Sequence, residues 1–143
     1  MISSPQLLTT VLSGNTVLPA ANTQLDHVLV LEDNFLIALE TEFILNGLGA
    51  RNIHIAATVA EAAAVLESIP LDFALLDVNL GHENSLDFAV KLKERGIPFG
   101  FCSGYGDGIT GPNVLNDVPR ISKPFDSEAV GSLLAAALGR PAV

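Results

Sequence analysis

The sequence predicts an α/β domain in which five parallel strands alternate with helices as a doubly wound sheet. Three observations predict it. Short apolar, β-branched runs recur at spacings that leave room for a crossover helix between them. Those runs are apolar throughout rather than alternating, the pattern of strands covered on both faces, as parallel strands are. The segments between them open on helix-capping residues and close on glycine or proline. With 143 residues, 49% of them hydrophobic, the chain has material for one buried core and no room for a second, output domain.

Residues 1–26 mix Ser, Thr, Asn, Pro and Leu without a sustained period and read as a tail ahead of a folded domain over residues 27–140. His27-Val-Leu-Val-Leu31 is the first strand. Asn34 caps a helix over residues 35–48, which Gly47 and Gly49 end. Residues 51–57 make the second strand. Thr58 caps the next helix, Glu61 at its third position supports a capping box, and Pro70 lies just beyond its end. The third strand is Asp72-Phe-Ala-Leu-Leu-Asp-Val78, followed by a polar loop and a helix over residues 85–95 that Gly96 stops. Residues 98–102 form the fourth strand. The stretch 104–119 holds several glycines together with Pro112 and Pro119, so any helix there is short or irregular. A brief fifth strand covers residues 120–122, and Asp126 caps a closing helix with Val130, Leu133, Leu134, Ala137 and Leu138 on its apolar side. Right-handed crossovers then give the flavodoxin-like (βα)5 fold, a five-stranded parallel sheet in the order 2-1-3-4-5.

Composition excludes several function classes. A formal net charge of −9 opposes binding to nucleic acid or anionic lipid, which needs Lys and Arg to displace counterions. No Lys or Arg precedes Arg51 and no long apolar run is present, so neither a secretory signal nor a membrane span is expected, and the chain reads as cytoplasmic. The single cysteine, Cys102, can form neither an internal disulfide nor a zinc site and reads as a small buried apolar residue. His27, His54 and His82 are scattered in sequence without ligand spacing.

In such sheets the functional crevice lies outside the carboxyl ends of the strands. Those ends carry Glu32-Asp33 after the first strand, Asp77 with Asn79 after the third, Ser103-Gly104 after the fourth, and Lys123-Pro124-Phe125 after the fifth. Carboxylates converging in one crevice repel each other unless a divalent cation sits among them, and a ligand set made only of oxygens suits Mg²⁺ rather than zinc. Phosphoryl transfer asks little covalent chemistry of a protein. It needs the phosphoryl oxygens neutralised and an attacking oxygen held in line. Taken singly, an acidic pair after a strand is an ordinary solvated turn and a lone lysine an ordinary surface charge. All four motifs in order on the right strand ends make the functional reading the stronger one.

Through Val-Leu-Glu32-Asp33, Leu-Leu-Asp77-Val-Asn79, Cys-Ser103-Gly104 and Ser-Lys123-Pro-Phe125, residues 27–139 resemble the receiver domains of two-component response regulators. The resemblance implies that Asp77 is the phosphoacceptor. It implies Mg²⁺ bound by Asp33, Asp77 and the Asn79 backbone carbonyl, with Glu32 acting through a water. Lys123, Ser103 and Gly104 would contact the phosphoryl group, and a cis Lys123-Pro124 bond would aim the lysine. The phosphoryl donor it implies is a sensor histidine kinase or a histidine phosphotransfer protein. Two departures stand out: Arg120 occupies the place where receivers commonly carry an aromatic switch residue, and Phe101-Cys-Ser-Gly-Tyr105 looks like the Phe-x-Thr/Ser-Gly-Tyr variant of some single-domain receivers. Ser103, Tyr105 and Arg120 are accordingly the expected switch residues.

The expectation is a stand-alone receiver that signals by protein contact, as a relay, a phosphate sink or a target-binding switch, and that is not a turnover enzyme. The alternative is a pseudo-receiver that keeps the fold as an interaction module without phosphorylation. A haloacid-dehalogenase-like phosphatase would want a second Asp two residues after the nucleophile, and Asn79 holds that place.

Overall fold

The structure, a computed structural model, describes residues 25–104 and 111–139. The elements are β1 (His27–Leu31), α1 (Phe35–Gly47), β2 (Asn52–Ala56), α2 (Val59–Ser68), β3 (Phe73–Asp77), α3 (Leu86–Glu94), β4 (Phe99–Ser103), a 3₁₀ turn (Asn113–Leu115), β5 (Arg120–Ser122) and α4 (Ser127–Ala137). Every strand pair is parallel and the sheet order is β2-β1-β3-β4-β5. This is the doubly wound fold that the apolar runs predict.

Strand periodicity divides the core between the two sheet faces. Leu29, Leu31, Ala74 and Leu76 pack with Ala62 and Leu66 of α2 and Phe88, Ala89 and Leu92 of α3. Val28, Val30, Phe73 and Leu75 pack on the other face with Leu45 of α1 and Val130, Leu133 and Leu134 of α4. A Cβ on Gly100 would meet Leu133 Cδ2 at 2.5 Å, so the absence of a side chain there lets α4 lie close against β4.

The helix starts follow their caps. Asn34 accepts from Ile37 N, Thr58 from Glu61 N, and Asp126 from Ala129 N. Glu61 reaches back to Ala57 N at 2.8 Å, one residue ahead of the cap. Gly49, with φ +106, turns the chain after α1 and lets Ala50 N bond Leu45 O at 3.0 Å.

Three features depart from expectation or extend it. The anticipated tail over residues 1–26 lies outside the described residues except for Leu25 and Asp26. These two belong to the folded unit, since Leu25 is buried and their carbonyls accept from Arg51 N and Asn52 N. Between β4 and β5 the described residues form only the 3₁₀ turn, whose Leu115 is buried against the α3 side of the core. The third extends the sequence reading: His27 and His54, scattered in sequence, are neighbours in space. Register places His54 opposite Leu29, diagonal to His27, and their Nδ1 and Nε2 atoms lie 3.1 Å apart. Among the described residues no helix is long and apolar enough to cross a membrane.

Candidate functional site

Because all five strands run parallel, their carboxyl ends share one edge of the sheet, and that edge gathers the acidic and basic residues singled out in the sequence. Glu32 follows β1 and is buried at 3% exposure, and Asp77 ends β3 with the same exposure. Asp33 is exposed at the rim. One carboxylate oxygen from each of Glu32, Asp33 and Asp77 lies within 4.8 Å of the others.

Lys123 enters this cluster from the end of β5. Its Nζ lies 2.8 Å from Asp77 Oδ2 and 2.7 Å from Glu32 Oε1. Lys123 N also donates to Ser103 O at 2.8 Å, which ties the end of β5 to the end of β4. The Lys123–Pro124 peptide bond is cis.

The electrostatics follow from burial and crowding. Burial pushes the Glu32 carboxyl above its ordinary range, the nearby Asp77 charge adds to that, and the Lys123 ammonium and the Asn34 amide pull it back. For Lys123 burial alone would depress the ammonium. The hydrogen bond to Asp77 and the close ion pair with Glu32 outweigh it and hold the group above its usual value. Burial, with the Asp77 charge second, pushes the Cys102 thiol up to about 12, so the cysteine is an inert core residue.

The donor set fits a hard divalent cation. Among the described residues three carboxylates face a single ammonium, which leaves negative charge uncompensated. The buried Glu32 Oε1 accepts no well-directed hydrogen bond, although the Lys123 ion pair lies beside it. All available ligand atoms are oxygens, the set that Mg²⁺ or Ca²⁺ takes.

The loop after β3 lies over this cluster. Asn79 N bonds Asp77 Oδ1 at 3.3 Å, Asn79 Oδ1 accepts from Gly81 N at 2.9 Å, and Asn79 forms a bridge with Asn84. At Gly81, φ +86, a Cβ would lie 3.7 Å from Asp33 Oδ2, so the loop's turn approaches the acidic rim.

Ser103 is nearly buried as the last residue of β4, opposite Ser122, and Gly104 follows it. Tyr105 lies outside the described residues. Arg120 is exposed, sits opposite Phe101 at the far end of β5 from Lys123, and makes no ion pair among the described residues. The structure therefore brings Glu32, Asp33, Asp77, Asn79, Ser103 and Lys123 to one edge and leaves Arg120 away from it.

Two contacts near the site were not legible in the sequence. Ser85 Oγ donates to Asp77 O at 2.7 Å, and Glu83 Oε2 accepts from Val59 N at 3.0 Å. A serine before an apolar helix reads as its cap. Nothing in the sequence indicates that its hydroxyl faces the strand instead.

No family model matches the chain. The chain is 31% identical over 115 residues to the phyllosphere-induced regulator PhyR of Methylorubrum extorquens, an alignment covering 78% of this chain and 43% of PhyR. The chain thus spans less than half the length of that curated relative. The solution structure of SdrG from Sphingomonas melonis Fr1 matches with a TM-score of 0.71 and 38% identity, covering 80% of this chain and 97% of SdrG. SdrG has also been solved in a BeF₃-activated conformation, which matches with a TM-score of 0.67 at 38% identity over 81% of this chain and 98% of that one. The receiver domain of the PhyR response regulator from Erythrobacter litoralis shares the fold, with a TM-score of 0.68 and 22% identity over 83% of this chain and 93% of that one. With its sheet order, its acidic strand ends and its likeness to SdrG over nearly the whole of that protein, the chain belongs to the receiver-domain family of response regulators.

Proposed function

We propose that the chain accepts a phosphoryl group on Asp77 and changes its protein contacts in response. The observation that carries this reading is Lys123, half-buried between the Asp77 and Glu32 carboxylates at 2.8 and 2.7 Å within the acidic cluster. A lysine so placed holds the Asp77 carboxylate in one orientation and can follow the added charge onto a phosphoryl oxygen. An Asp77 oxygen attacks phosphorus, and the bond from phosphorus to the donor breaks with its electron pair leaving on the donor atom. With a phosphohistidine donor that pair returns to the imidazole nitrogen. The Ser103 hydroxyl and the Gly104 amide are the further contacts for the phosphoryl oxygens. Asp33, Asp77 and the Asn79 carbonyl would hold Mg²⁺, with Glu32 acting through a water, and the ion would supply the positive charge that the three carboxylates and the incoming phosphoryl group lack.

SdrG takes an activated conformation with BeF₃, a group whose tetrahedral shape on a carboxylate resembles a phosphoryl group. That supports an Asp77 acyl phosphate here. Hydrolysis of the acyl phosphate by water resets the switch, and the chain is not a turnover enzyme. The segment at Ser103 and Tyr105 is the responding element, with Arg120 in place of the usual aromatic residue.

The donor is a cytoplasmic phosphohistidine-bearing protein that docks on α1. Phe35, Leu36 and Phe43 are exposed at 68%, 74% and 81%. Beside α1 a cavity of about 340 Å³, lined by Ile37, Glu40, Lys123, Pro124 and Phe125, leads to the lysine of the site. An apolar helix face next to the reacting group suits a helical partner that delivers a phosphoryl group there.

Incubation with Mg²⁺ and acetyl phosphate, read by intact mass, tests the central claim. The wild type is expected to gain one phosphoryl group and Asp77→Asn none. An adduct of equal yield in both proteins, or in neither, would overturn the assignment.

A further inference from the structure

Ser85 opens α3, yet its hydroxyl makes no cap hydrogen bond to the helix. Capping side chains stabilise a helix start, so a serine that turns away from this role is held by something else. Its hydroxyl donates to Asp77 O at 2.7 Å and its amide donates to Val78 O at 3.1 Å. The residue is completely buried. The first amide of the helix, Leu86 N, is met instead by Asn84 Oδ1 at 3.0 Å.

The carbonyl that receives this hydroxyl occupies a particular place. Pairing of β3 with β1 stops at Leu76, whereas pairing with β4 continues through Asp77 opposite Cys102. Val78 N donates to Cys102 O at 3.1 Å, which turns the Asp77 carbonyl away from β4 at the point where pairing with β1 has ended. Ser85 supplies a buried anchor there, and a buried carbonyl without a partner would be costly. Within the loop, Leu80 N bonds Glu83 O at 2.9 Å, and Glu83 Oε2 pins the far side to Val59 N at 3.0 Å. Ser85 closes the loop at its base.

We infer that Ser85 is a positioning residue, fixing the Asp77–Val78 peptide so that the Asp77 carboxylate and the Asn79 carbonyl face Asp33 together. The inference rests on the reading of Asp77 as phosphoacceptor with a divalent cation beside it. One hydroxyl controls both directions because the peptide it grips carries the Asp77 side chain on one side and leads into the Asn79 turn on the other.

The test compares Ser85→Ala, Ser85→Cys and Ser85→Thr by Mg²⁺ titration followed in amide spectra, with the acetyl phosphate reaction as a second readout. Cys keeps the volume but is a weak donor, and Thr keeps the hydroxyl. The expected result is a loss of Mg²⁺ affinity of about tenfold in Ala and Cys, the lower end of what removing a group behind a metal ligand costs. Thr is expected to stay near the wild type. Val90→Ala, a half-buried change on α3 away from the loop, controls for lost stability and should leave the affinity alone. Wild-type affinity in Ser85→Ala, or a Cys variant that behaves like the wild type, overturns the inference while leaving Asp77 untouched. A wild type that binds Mg²⁺ but takes no phosphoryl group sinks the reading of Asp77 instead, and the titration still decides for Ser85.

Discussion

Lys123 and His54 show how differently single residues yield to sequence reading. Lys123 stands directly after a strand, so its place follows from the topology once the strands are parallel. The partner of His54 depends on register, since only the pairing of Leu29 with His54 brings the His27 ring alongside. With Nδ1 and Nε2 at 3.1 Å and ring planes 25° apart, the two imidazoles lie within hydrogen-bond reach, and the tautomer sets which one donates. Burial, and then the nearby His27, lowers the His54 pKa below its ordinary 6.5. The unfolded chain therefore binds a proton more readily than the folded one in the window just below 6.5, so stability falls as pH drops through that window. Urea midpoints measured across it should decline toward acid in the wild type and decline less in His54→Gln. Identical slopes in the two proteins would show that the pair does not matter to stability. Ser85 was illegible for a related reason: the same residue type caps helices, and only the fold determines which carbonyl or amide lies within reach of its hydroxyl.

At the scale of elements, the strands were legible because burial on both faces leaves no polar residue to break the run. β3 and β4 are buried at every position, and their apolar sequences say so. The edge strands carry weaker signals, and β5 is partly exposed along its three residues. Helix starts were legible from their caps. The orientation of α1 was not, because its apolar residues lie all round the helix and period alone cannot say which face is covered. The structure answers that Ala38, Thr41 and Leu45 face inward, which leaves Phe35, Leu36, Leu39 and Phe43 outside. If this outward face receives the phosphodonor, Phe43→Ser should slow phosphorylation by a phosphohistidine protein and leave phosphorylation by acetyl phosphate unchanged. The thermal midpoint should not drop, because Phe43 is 81% exposed and contributes little to the core. A variant equally impaired with both donors would place Phe43 in the fold or the site rather than in docking.

Across the whole molecule, the fold sets a cost that ligand binding can offset. Parallel strands bring Glu32, Asp33 and Asp77 to one edge of a chain that carries a net charge of −9, and among the described residues Lys123 is the one cation paired with them. Such a site is poorly balanced until a further cation joins it, so binding should stabilise the native state through mass action, by about 2.7 kcal/mol at a hundredfold excess over the dissociation constant. For a chain of this length that is a rise of several degrees in melting temperature. General screening would also ease the repulsion between exposed charges, so the comparison must be made against NaCl at equal ionic strength. The wild type is expected to melt higher in MgCl₂ than in NaCl, and Asp33→Ala to melt alike in both. Asp33 is exposed and makes no ion pair among the described residues, so its removal should cost the unliganded protein almost nothing. An Asp33→Ala protein that keeps the Mg²⁺-specific rise would place the stabilising ion elsewhere on the acidic surface and detach metal binding from the strand-end cluster.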